Sequence, residues 1–227
     1  MTIPKNNYAT IKNLNVNEHT TLFQYSYWEK AFIANEYLLD RLRIIKDQFH
    51  NGATRDDLVS FYRKDPKQVS YETKFLASMI WGHEAPAGSR RDSRGPWKVT
   101  KMFANPTKSE DAISKVSIES EELIKTSYRT LDRDMDRCGP NFFTKHFYFL
   151  PKSKPQRPFP YPVIFDDRVA TGLMKISPAS KHCSSMVRIS AERKPDAYLA
   201  YLNFVSEQAA KIECDPDQVE YFLFCRA

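Results

Sequence analysis

The stretch RCGPNFFTKHFYFL, residues 137–150, sets one lysine, Lys145, among four phenylalanines and a tyrosine just after a Gly139-Pro140 turn. Glycine and proline together end whatever element precedes them, and proline fits the first position of a new helix. The start of a helix exposes backbone N–H groups and the positive end of its dipole, which suit a phosphate. Lys145 sits close enough to feel that dipole, and apolar neighbours such as Phe142 and Phe149 oppose its charged form. A lysine so placed is a candidate nucleophile.

The next segment, PKSKPQRPFPYP (151–162), carries five prolines, which exclude a helix and predict a stiff extended connector. VIFDDRVATGLMKI (163–176) then resumes helical periodicity, with Asp166 placed to cap it. Two more helices follow over 194–212 and in DPDQVEYFLF (215–224), the second with Asp215 as N-cap and Pro216 at its first position. Upstream, SEDAISKVSIESEELIKTSYRTLDRDMDR (109–137) reads as one helix over several turns. SYWEKAFIANEYLLDRLRIIKDQF (26–49) repeats Trp28, Phe32, Leu38, Leu42, Ile45 and Phe49 on one face, again as a single long helix. A short helix capped by Thr54 and a third ending at Gly82 come next, and the basic, proline-containing stretch 82–106 reads as a long surface loop. Strand-like alternation is nearly absent. The expected fold is all-α, about eight helices with long irregular loops, in one domain over 1–227 or two packed lobes, about 20–130 and 131–227.

A composition of 41% hydrophobic and 27% charged residues is that of an ordinary globular protein, and a net charge of +6 favours a polyanionic partner. No apolar run is long enough to span a bilayer, and the first residues lack a secretory apolar core, so no membrane association and a cytoplasmic location are expected. Cys138, Cys183, Cys214 and Cys225 are scattered without metal-binding spacing, so no metal or cofactor is expected.

GPNFFTKHFYFL followed by PVIFDDRVATGL resembles the helix-hairpin-helix DNA glycosylases, specifically the 8-oxoguanine DNA glycosylase/AP lyase branch and its bacterial OGG-fold relatives. The resemblance is clearest over residues 132–173, with support from FLASMIWG and DQVEYFLF. It implies a lysine that attacks C1′ of a damaged nucleotide, a role that falls on Lys145, and an aspartate that caps the next helix, a role that falls on Asp166. FDDRV is similar to the family's apolar-Asp-x-His-Val pattern, with Arg168 where histidine usually stands. The family hairpin is Gly-x-Gly-x-Lys, whereas Gly139 lies six positions before Lys145; a gapless match puts Asn141 at the catalytic position. Asp167 is likewise a rival to Asp166.

The implied partner is double-stranded DNA carrying a damaged or modified base. Gly139, Asn141, Arg90, Arg91, Arg94, Lys98, Lys152, Lys154 and Arg168 are the candidate DNA contacts. Trp81, Phe142 and Phe149 are candidates to hold the extruded base, with Tyr221 and Phe222 as further aromatic choices. OGG-fold relatives also occur beside bacterial defence genes, which adds operon-encoded defence proteins as partners. It also adds a second reading: a module that binds a modified guanine or 7-deazaguanine without cutting.

Overall fold

The computed structural model describes residues 2–83, 94–154, 160–176 and 194–226, with only the backbone of Arg94. A 3-10 turn, Lys5–Asn7, leads into α1 (Tyr8–Lys12), β1 (Thr21–Leu22), α2 (Tyr25–Phe32), α3 (Glu36–Phe49), β2 (Gly52–Ala53), α4 (Arg55–Tyr62) and α5 (Tyr71–Trp81). Next come α6 (Arg94–Met102), α7 (Pro106–Ser114), α8 (Glu121–Asp134), α9 (Pro140–Lys152), α10 (Asp167–Ile176), α11 (Lys194–Ile212) and α12 (Pro216–Cys225). The sheet among the described residues is one antiparallel pair, Thr21 opposite Ala53 and Leu22 opposite Gly52. The fold is all-α, and no described helix is long and apolar enough to cross a membrane.

Local chemistry explains most helix ends. Thr54 and Asp57 form a reciprocal capping box at α4, and Asp215 with Gln218 does the same at α12. Gly82 ends α5. Four expectations need correction. The single helix expected over 26–49 is two, because the Asn35 side chain accepts from Leu38 N (3.1 Å) and starts α3 afresh. The helix expected over 109–137 likewise splits, with Ser120 capping α8 through Leu123 N at 3.3 Å. Part of the stretch expected as loop is α6, whose Pro96 falls in the first turn, where no intrahelical N–H bond is due, and which buries Val99 and Met102. Finally, α9 runs through Pro151, which lies one residue from the helix end and so removes only a terminal bond. Of the proline-rich connector, 155–159 lie outside the described residues.

Helix α9 is the central strut. Phe143, Phe147, Tyr148 and Phe149 are fully buried, and the helix packs against α4, α5 and α8. Helix α12 packs on α10 and α11. The contact with α10 is close because Gly172 has no side chain: a Cβ there would lie 1.9 Å from the carbonyl oxygen of Leu223. The N-terminal segment is tied to this C-terminal pair, with Gln218 Nε2 donating to the carbonyls of Lys12 (2.9 Å) and Leu14 (3.0 Å) and Ile3 N donating to Gln208 Oε1 (3.0 Å). This arrangement brings β1, the start of α4, the end of α5, the second turn of α9, the start of α10 and the inner face of α12 to one cleft.

Candidate active site

The Lys145 side chain leaves α9 across Gly82 and is only 6% exposed. Its ammonium donates to the carbonyl of Asn141, one turn earlier on the same helix, and lies 3.6 Å from Asp166 Oδ2. Asp166 caps α10: its Oδ1 accepts from the backbone N–H groups of Arg168 and Val169, both at 3.0 Å. One carboxylate oxygen is therefore committed to the helix and the other turns to the lysine. Their relative placement is set by Thr144, the residue before Lys145, whose hydroxyl accepts from Phe165 N (3.1 Å). The same hydroxyl is also within donating distance of Phe165 O (3.2 Å) and Pro140 O (2.6 Å). This interlock docks the segment before Asp166 onto α9.

The pair borders a partly open cleft with a cavity volume of about 100 Å³. Its inner end is closed by Arg55 and Glu220, with Nη1 2.7 Å from Oε2 and Nη2 3.3 Å from Oε1. Burial pushes the Glu220 carboxyl above its ordinary range against the opposing pull of Arg55, and the Asp166 charge adds to the rise. The Arg55 guanidinium also lies 5.7, 5.0 and 5.3 Å from the ring centres of Trp81, Tyr148 and Tyr221. Trp81 forms one wall, its indole N–H donating to Ala53 O at 3.2 Å. On the C-terminal side, Arg168 lies 3.9 Å over the ring of Phe224, which stacks on Tyr221 at 6.1 Å and 17°. His19 and Thr21 complete that rim.

The residues singled out from sequence divide clearly by place. Lys145, Asp166, Arg168 and Trp81 line the cleft, as does Tyr221. Asn141 does not; it meets the site through its carbonyl, and Lys145 is the residue that faces Asp166. Asp167 is exposed, and its carbonyl accepts from Thr171. Phe149 is fully buried behind Trp81, edge-on at 5.3 Å, and Phe222 is a core residue. Phe142 is half-buried outside the cleft lining, with Lys98 5.5 Å from its ring centre. Lys152 pairs with the buried carboxylate of Asp217, and Lys154 with Glu119 at 3.0 Å. Gly139 stands at the start of α9 without a side-chain cap. Arg90 and Arg91 lie outside the described residues, as does the side chain of Arg94. Among the described residues no cluster of three histidine, cysteine or acidic side chains is placed to hold a metal.

Arg55, Glu220 and Gly82 were not singled out as site residues from sequence. Glu220 carried a signal, being the one charged residue in VEYFLFC (219–225), where an isolated acid in an apolar helix needs a buried partner. Arg55 follows a helix cap and carries no periodic mark, and Gly82 reads fully as a helix stop.

A family profile described as "Putative 8-oxoguanine DNA glycosylase OGG-like protein" matches residues 14–224. No curated protein and no solved structure matches the chain.

Proposed function

The chain belongs to the 8-oxoguanine DNA glycosylase OGG-like family, and on that premise we propose that it is a bifunctional DNA glycosylase/AP lyase acting on an oxidised or modified guanine. The observation that carries the reading is the 3.6 Å approach of Lys145 Nζ to Asp166 Oδ2 at the wall of a partly open cleft.

In this mechanism Lys145 first passes an ammonium proton to the Asp166 carboxylate, and the freed amine attacks C1′ as the bond from C1′ to the base breaks; the bonding pair leaves with the base, which takes up the proton held by Asp166. The Asp166 carboxylate stabilises positive charge on the sugar and accepts the proton shed by the new C–N bond. Return of that proton from Asp166 to O4′ opens the C1′–O4′ bond and yields the Schiff base. Loss of a proton from C2′ then expels the 3′ phosphate, and water hydrolyses the imine to free the lysine. Arg168 at the rim, Lys98 and the Asn141 N–H in the first turn of α9 are the groups assigned to phosphates. The setting, DNA repair or antiviral defence beside operon-encoded partners, rests on the family resemblance.

Borohydride trapping on a duplex containing 8-oxoguanine tests the reading. A covalent adduct is expected from the native chain and none from Lys145→Ala. Absence of the native adduct, or an undiminished one in the variant, overturns it. A second reading, a binder of modified guanine that does not cut, draws on the hydrogen bond that occupies the Lys145 amine at Asn141 O. Tight binding without an adduct is its signature.

A further inference from the structure

We infer that Gly82 is a positioning residue for Lys145: the missing side chain at the end of α5 is the slot that delivers the amine to Asp166. The inference rests on the Schiff-base reading for its catalytic consequence, but not for its geometry.

Gly82 has φ −79° and ψ 0°, ordinary right-handed backbone open to any residue, so the turn itself does not require glycine. Space does. A Cβ at position 82 would lie 2.1 Å from Lys145 Cε, 2.2 Å from Cδ and 3.3 Å from Nζ. Every one of these atoms belongs to the outer half of a flexible side chain, and none to a backbone. An added methyl group therefore does not have to move the fold; it moves the lysine. The contrast with Gly172 is instructive, since there the obstacle is the Leu223 carbonyl, which cannot step aside. Lys145 has little alternative room, because its side chain is 7% exposed and flanked by buried Thr144, His146 and Phe149 on its own helix. The side chain that yields gives up the path leading both to Asn141 O and to Asp166 Oδ2.

The experiment joins a crystal structure of Gly82→Ala with borohydride trapping on a duplex carrying a preformed abasic site, which needs the lysine but no base excision. The expected structure keeps the fold and takes Nζ out of ion-pair reach of Asp166. The trapping rate is expected to fall by about tenfold or more, as displacements near 1 Å do at reacting centres, with duplex affinity retained. A lysine unmoved in the crystal, or a trapping rate equal to that of the native chain, overturns the inference. If the native chain itself forms no adduct, the Schiff-base reading fails, and the crystal alone decides whether Gly82 positions Lys145. If Gly82→Ala does not fold, the Gly82→Ala/Lys145→Ala pair decides: a folded double variant shows the two side chains competing for one space, and a misfolded one overturns the inference.

Discussion

Arg55 and Glu220, far apart in the chain, meet as a two-pronged ion pair with side chains only 5% and 0% exposed. The pair joins α4 to α12 and forms the inner end of the cleft, so it links the stability of the fold to the shape of the site. Removing both charges is tolerable where the replacement packs well, whereas removing one strands the other in a dry interior.

Glu220→Ala is therefore expected to lose about 3–5 kcal/mol in urea unfolding. The paired change Arg55→Met/Glu220→Leu is expected to recover most of that loss. A single variant as stable as the native chain contradicts the assignment of this pair as the buried tie.

Asp166→Asn separates the two tasks of Asp166. Asparagine caps helices as well as aspartate does, so the unfolding free energy is expected to change by less than about 1 kcal/mol. The charge facing Lys145 is lost, and the trapping rate is expected to drop by about a hundredfold. Asp166→Ala, which also removes the cap, is expected to add a stability loss of about 1 kcal/mol.

Gly172→Ala places a Cβ against backbone. With the Leu223 carbonyl oxygen 1.9 Å away, α10 and α12 must separate. The expected loss is about 1–3 kcal/mol, read as a lowered urea midpoint. Gly82→Ala, which meets only the far end of a side chain and no backbone, is expected to lower that midpoint by less than Gly172→Ala does.

His146 makes the fold acid-sensitive. It is fully buried, its Nδ1 is 2.8 Å from the Tyr62 hydroxyl, and burial, reinforced by the Lys74 charge, pushes its pKa down to about 3. The unfolded chain, with an ordinary imidazole, binds a proton below about pH 6.5 that the native chain refuses. Between those values the unfolded state holds more protons, so stability falls as pH falls, by up to about 1.4 kcal/mol per unit. Urea unfolding at pH 7 and pH 5 checks this. The drop is expected in the native chain and is expected to shrink by about 2 kcal/mol in His146→Phe. An equal drop in both proteins rules out His146 as the source.

Short-range features are legible in the residues alone. The caps at Thr54, Asp166 and Asp215, the stop at Gly82 and the proline start of α9 are all local, because a cap or a stop is satisfied within a turn or two. Asn35 and Ser120 were harder to read, since the same residue types sit inside helices when nothing recruits their side chains to a fresh start. The choice between Lys145 and Asn141 could not be made locally at all. Both lie on α9, and only the docking of Phe165 onto the Thr144 hydroxyl decides which one faces Asp166. Tertiary structure alone likewise paired Arg55 with Glu220 and gave Gly82 its second task. Those contacts join residues far apart in the chain, where neither periodicity nor spacing carries information, and they form because a buried charge needs a partner and a buried lysine needs a path.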